Sequence, residues 1–249
     1  MWPPPVRSAP VALIRSLIEW IPQSATWVGI LAGPLVLLGY LVGGLPFDDL
    51  VARGRLRRQL EDPRRPGRPH PAPDGDPLDS PGVVLAAALG AGATLLVSTV
   101  AWDVALRAAP NSRFSPSSVG AFSNQVIAAW VSVALWTGLA AVVGHVAPVW
   151  RSFRGGSGAL PAAVLLFAYA PTVFGVAAGV FLVTTGLMGR PRIAVVTAAV
   201  AAVSYEYLAW VADLPHGWGV TNGPELTLWM AGLAGVVMAG ALRPPAPAT

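Results

Sequence analysis

The sequence predicts an all-α integral membrane protein: a polytopic helical bundle of about seven membrane segments, N-terminus out and C-terminus in. Three observations lead there. Of 249 residues, 54% are hydrophobic and only 11% are charged, against about 25% charged in an ordinary soluble domain. Several apolar runs approach or exceed the roughly 20 residues that cross a bilayer as a helix. The basic residues cluster between those runs. Arg53, Arg55, Arg57, Arg58, Arg64, Arg65 and Arg68 follow the first one directly, and basic loops stay on the cytoplasmic side.

Residues 1–24 read as an N-terminal interfacial segment. The patch Val11–Ile21 is interrupted by Arg15 and Glu19, which suits an amphipathic helix lying in the interface and not a signal peptide. The membrane domain is expected over 25–243. Ala25–Phe47 is the first span, ended by Pro46. Residues 48–81 are rich in Arg and Pro and form a cytoplasmic loop, since the prolines prevent any long helix, with one short helix around Asp49–Leu60. Val83–Ala108 is the second span, interrupted by Asp103, and Val119–Val146 is the third. Leu160–Met188 comprises 29 uncharged residues. A break near Pro171 divides it into a partial or re-entrant Leu160–Ala170 and a full span, returning Arg190 and Arg192 to the cytoplasm. Ile193–Val211 and Leu226–Leu242 complete the bundle. The loop Asp213–Glu225 lies outside, Arg243 inside, and 244–249 is a tail.

The chemistry is bounded by what is absent. Without cysteine there is no disulfide, thiolate metal site or Cys nucleophile. All 16 basic residues are Arg, which excludes a lysine Schiff base or lysine general base. No metal and no cofactor are expected. Beside a membrane span, the Arg cluster reads as a retention signal that attracts anionic lipid headgroups, and no nucleic-acid partner is expected.

The most informative stretch is Gly144-His145-Val146-Ala147-Pro148-Val149-Trp150-Arg151-Ser152-Phe153-Arg154-Gly155-Gly156-Ser157-Gly158, which leads straight into an apolar helix. Glycines at a helix entrance let backbone N–H groups face an anion, and neighbouring guanidiniums add charge-assisted bonds. A tight turn is the alternative reading of the same glycines. Arg151, Arg154, Gly155, Gly156 and Gly158 are the candidate phosphate-binding residues. His145 either handles a proton or caps a free carbonyl at a helix end.

This stretch resembles a signature of the bacterial acyl-phosphate glycerol-3-phosphate acyltransferases (the PlsY type), Gly-His-x-Phe-Pro-x-Phe-x-x-Phe-Lys-Gly-Gly-Lys-Gly before a helix. Gly144, His145, Pro148, Phe153, Gly155, Gly156 and Gly158 match in register. Ala147 and Trp150 stand for Phe, and Arg154 and Ser157 for Lys. Tyr40-Leu41-Val42-Gly43-Gly44-Leu45-Pro46 is similar to the family's Tyr-Leu-x-Gly-Ser-Ile-Pro, with Gly44 for Ser. Asp103 sits where such proteins tend to place a membrane-embedded Asp. The family's Gly-Ser-Gly-Asn-x-Gly-Ala-Thr-Asn loop has no counterpart in 54–81, and the chain stops short of its C-terminal His/Asn/Arg tail.

The resemblance implies a membrane acyltransferase of phospholipid synthesis. It would move an acyl group from acyl phosphate to glycerol 3-phosphate, giving lysophosphatidic acid at the cytoplasmic face. His145 and Ser157 fall at the catalytic positions, with Gly144, Pro46, Pro148 and Asp103 in support. The helix after Leu160 would wall an apolar groove for the acyl chain. Two other readings stay open: an inactive homologue that binds lipid or a membrane partner, and a small transporter. Asp103 also reads as the i,i+4 partner of Arg107. Glu206 reads as interfacial, and Trp130, Trp136, Trp210, Trp218 and Trp229 as interface anchors or bundle packing.

Overall fold

The computed structural model describes residues 25–47, 51, 81–108, 129–214, 220 and 223–243. Among them are seven α-helices: α1 (Ala25–Gly43), α2 (Pro81–Ala108), α3 (Ala129–Val146), α4 (Ala159–Tyr169), α5 (Pro171–Met188), α6 (Pro191–Val211) and α7 (Pro224–Ala241). A single 3-10 turn, Val149–Arg151, follows α3. Five helices are long and apolar enough to cross a membrane, and Ile30–Gly43 and Ala159–Tyr169 are shorter apolar helices. The interfacial helix, the tail, residues 119–128 and most of 48–81 lie outside the described residues.

The break at Pro171 falls where its chemistry places it. Proline lacks the N–H that would continue α4, but its fixed φ suits the first position of a new helix, and α5 begins on it. The remaining turn of α4 closes through the Ala170 N–H on the Leu166 carbonyl. The half-length α4 is pinned at its end. Ser98 Oγ of α2 donates to the Ala134 carbonyl and accepts the Tyr169 hydroxyl, each at 2.8 Å. Trp102 stacks on Tyr169 at 5.9 Å.

Lipid supplies no hydrophobic drive between helices, so close backbone packing holds the bundle. Helix α1 lies against α3 so tightly that a Cβ at Gly39 or Gly43 would strike the α3 backbone at Thr137 or Ala141. In the core, the buried Trp229 of α7 donates its indole N–H to the Leu135 carbonyl at 2.6 Å. Among the expected Trp anchors, Trp229 is therefore bundle packing, whereas Trp136 is exposed.

Hydrogen bonds define which helix ends meet. Arg243, just after α7, reaches the last residue of α3 and the loop that follows it, and Tyr40 of α1 bonds Ala147. Short connections then bring the α5–α6 turn, with Arg190, to the same end, called here the loop end. Helix α2 begins there too, because Gly90 lies against His145. Asp103 is 13 residues further along α2, roughly 20 Å from that level at 1.5 Å per residue, and its carboxylate accepts from Arg107 Nε at 2.8 Å. It is a paired group at the far end of the bundle. Glu206 is also at the far end, but not interfacial: it is 0% exposed and packed near Gly223. Gly223, the residue before α7, supplies a backbone hydrogen bond to its carboxyl group.

Candidate functional site

The site is built from the segment between α3 and α4. His145 ends α3 and is half-buried. Pro148 starts the 3-10 turn, and its carbonyl accepts both the Arg151 and Phe153 N–H groups, at 3.2 and 2.9 Å. Ser152 and Phe153 then adopt left-handed φ values of 51° and 61°, a conformation costing about 1–3 kcal/mol for each non-glycine residue. The strain is held from outside: Arg243 Nη1 donates to the Phe153 carbonyl at 2.8 Å and to the Val146 carbonyl at 2.6 Å. Arg154 emerges exposed from this reversal.

For two of the glycines the tight-turn reading, and not the anion-facing one, matches the backbone hydrogen bonds. The Gly155 N–H donates to the Val146 carbonyl at 3.1 Å and the Gly156 N–H to the His145 carbonyl at 3.0 Å. Those two amides close the loop onto α3 and do not point at an anion. Their role is steric: a Cβ at Gly156 would lie 2.7 Å from His145 Nε2, so only glycine lets the backbone lie against the imidazole. Gly158 has φ 70°, caps α4 and packs under Val146. The amides of Gly158 and Leu160 have no backbone acceptor among the described residues, which leaves the entrance of α4 as the donor surface.

Ser157 is exposed, and its Oγ accepts the Ala159 N–H at 3.4 Å. Its backbone abuts Gly240 of α7. The structure therefore brings His145, Arg151, Arg154, Gly155, Gly156, Ser157 and Gly158 into one loop, with Gly144 and Pro148 as its hinges. Gly144 is fixed by the Tyr40 carbonyl, which a Cβ there would strike. Pro46 ends the α1 arm nearby. Asp103 is not part of this assembly.

Three contributors were not singled out from the sequence as site residues. Tyr40 donates its hydroxyl to the Ala147 carbonyl at 2.9 Å. Trp150 donates its indole N–H to the Gly44 carbonyl at 2.6 Å, and Arg243 clamps the loop from α7. Each acts across about 100 residues of chain, and the sequence signalled Tyr40 and Trp150 only as positions in the family motifs.

Behind the loop, α4 and α5 diverge from the Ala170–Pro171 hinge, and α6 and α7 back the space between them. The result is an apolar slot of about 420 Å³. It begins at Ala159 and Leu160, adjoining Gly158, and ends at Leu166, Phe174 and Met230. Arg154, Arg190, Arg192 and Arg243 all belong to the end where the slot begins. A cationic rim beside an apolar slot suits an amphiphile with an anionic head and a hydrocarbon tail.

Comparison with known proteins gives the family and the fold. The sequence profile of the family described as Glycerol-3-phosphate acyltransferase matches residues 83–242. A glycerol-3-phosphate acyltransferase of Bacillus cereus (strain G9842) is 44% identical over 73 residues, 28% of this chain and 36% of that protein. The chain thus spans about a third of the length of the first curated relatives it matches. A glycerol-3-phosphate acyltransferase of Pseudomonas paraeruginosa (strain DSM 24068 / PA7) is 28% identical over 180 residues, 71% of this chain and 79% of that one. Among solved structures, PlsY, an integral membrane glycerol 3-phosphate acyltransferase in its glycerol 3-phosphate form, superposes with TM-score 0.50. It is 20% identical and covers 84% of this chain and 87% of the other, a likeness of fold.

Proposed function

Given that the chain belongs to the glycerol-3-phosphate acyltransferase family, we propose that it transfers an acyl group from acyl phosphate to the 1-hydroxyl of glycerol 3-phosphate. The products are lysophosphatidic acid and inorganic phosphate. The observation that carries this reading is the adjacency of the arginine-bearing loop 146–158 to the mouth of the apolar slot.

In the reaction, the glycerol hydroxyl oxygen forms a bond to the acyl carbon, and the bond from that carbon to the phosphate oxygen breaks. Phosphate leaves with the electron pair. His145, held against Gly156, is placed to take the hydroxyl proton and return it to the departing phosphate. Acyl phosphate is already activated, so no covalent enzyme intermediate is needed and the protein's work is positioning and charge stabilisation. Arg154, Arg151 and the amides at the entrance of α4 face the phosphates, and the slot receives the acyl chain. Ser157, whose Oγ accepts the Ala159 N–H at 3.4 Å, shapes that entrance and need not act as a nucleophile.

The active face is cytoplasmic in this proposal. Seven crossings or partial crossings, N-terminus out and C-terminus in, put every arginine of the loop end on that side. The test is direct: the full chain in lipid nanodiscs is given palmitoyl phosphate and radiolabelled glycerol 3-phosphate. Lysophosphatidic acid and phosphate should form in equal amounts. No product above protein-free nanodiscs would leave the inactive, lipid-binding homologue as the better reading.

A further inference from the structure

The slot between α4, α5, α6 and α7 has a floor as well as a mouth, and the floor has consequences for the substrate. Its lining on each helix extends over a similar stretch, from Ala159 to Leu166 on α4 and from Val237 back to Met230 on α7. Seven helical steps at 1.5 Å correspond to roughly 10 Å. One leaflet of a hydrocarbon core about 30 Å thick is roughly 15 Å deep, so the slot covers about two-thirds of a leaflet.

The deep end is closed by packed groups. Phe174 meets Phe167 edge-on at 5.4 Å, and Met230 belongs to the same buried cluster as Tyr169, Ala170 and Val173. Halfway down, the wall is lined by Ala178 of α5 and Ala199 of α6, two small side chains. The lining carries no charge, and Arg154, Arg190, Arg192 and Arg243 belong to the loop end, which orients an occupant with its phosphate at the loop end and its chain pointing toward Phe174.

We infer that this slot measures the acyl chain: it binds only the first 10 Å or so nearest the phosphate, and Ala178 and Phe174 determine the length at which added methylenes cease to contribute. The inference rests on the proposed acyl-phosphate reaction for its occupant, and it makes chain length a property of two side chains on α5.

The experiment uses the full chain in lipid nanodiscs and a series of monoalkyl phosphates from butyl to hexadecyl. Dissociation constants are corrected for partitioning into protein-free nanodiscs. Each methylene that enters the slot should tighten binding about fourfold, until the slot is full and the series reaches a plateau. Ala178→Leu should bring the plateau to shorter chains and leave butyl phosphate binding unchanged. Phe174→Ala should move it to longer chains. Ala199→Leu, on the facing helix, repeats the shortening should Ala178→Leu not fold, and Leu187→Phe on the 81% exposed outer side of α5 should shift nothing. Tightening that continues to hexadecyl, or the same plateau in all variants, overturns the inference. Acyl transfer measured in parallel separates the two readings. A shifted plateau with no lysophosphatidic acid sinks the reaction and keeps the slot, and transfer with an unmoved plateau does the reverse.

Discussion

Trp150 occupies the space that a side chain on Gly44 would need: its indole N–H donates to the Gly44 carbonyl at 2.6 Å, and a Cβ at Gly44 would come within 2.6 Å of its Cζ2. In the family pattern these two positions carry Phe and Ser. The two departures meet at one contact, where the indole fills the volume that a side chain at position 44 would need. The substitution pair preserves the junction between α1 and the loop while removing a hydroxyl from it.

Gly44→Ser alone should be destabilising by about 1–3 kcal/mol, because the overpacked indole must move and its hydrogen bond is strained. Trp150→Phe alone opens a gap and leaves the Gly44 carbonyl without its donor. The double variant should recover most of the loss, with a coupling energy of about 1–3 kcal/mol in a double-mutant cycle of thermal or denaturant unfolding. Additive effects of the two changes would mean that the residues are independent.

Adjacent glycines should fail in different ways. Gly156→Ala puts a methyl group 2.7 Å from His145 Nε2, at the end of a side chain that can swing aside. Turnover should fall at least tenfold with melting temperature nearly unchanged, because the imidazole is displaced and the backbone is not. Gly155→Ala meets the carbonyl of His145 instead, so the loop itself must open. Its stability and expression should fall together with activity, and unchanged kinetics in Gly156→Ala would remove His145 from the reaction.

Arg243 holds the strained Ser152–Phe153 reversal through two carbonyls, each charge-assisted bond being worth about 1.5–3 kcal/mol. Arg243→Ala should raise the KM for glycerol 3-phosphate by ten- to a hundredfold and speed amide hydrogen exchange across 148–156. Arg243→Lys should restore part of both. Exchange as slow as in the unaltered protein would show that the loop stands without its clamp.

Local chemistry was readable from the sequence, and long-range partnership was not. Pro171 divides an unbroken apolar run because it lacks an N–H, a property of that one residue, and the helix break sits on it. The spacing of Gly155, Gly156 and Gly158 signalled a special backbone. The direction of two of those amides depends on how the loop folds back onto the end of α3, which no local pattern encodes. Arg243 looked like the last cytoplasmic charge of a span, since its carbonyl partners lie 97 and 90 residues earlier. Glu206, between two tyrosines near a helix end, resembled an interfacial residue. It is fully buried in the bundle, beside Gly223 at the start of α7.

The shared side of the arginine loops is accessible to chemical labelling in a chain with no cysteine. Single cysteines in place of Arg65 and Arg190 should react with an impermeant thiol reagent only after the membrane is opened, whereas Asp213→Cys should react in intact cells. Outside labelling of position 190 with position 65 protected would make 160–188 a single crossing and defeat the arrangement of seven segments.

Ser157 offers a gain-of-function test. It is exposed at the entrance of α4, and its backbone is held by Gly240, so a longer side chain can be added without moving the loop. Ser157→Lys, which restores the family residue, places a second cation beside Arg154 and loses only the Oγ contact to Ala159, a weak bond at 3.4 Å. One added charge-assisted contact to phosphate is worth about 1.5–3 kcal/mol, so the KM for glycerol 3-phosphate should fall about ten- to a hundredfold. Arg154→Ala should raise it by a similar factor, and the double variant should lie between the two. A KM that is insensitive to both changes would place the phosphate elsewhere.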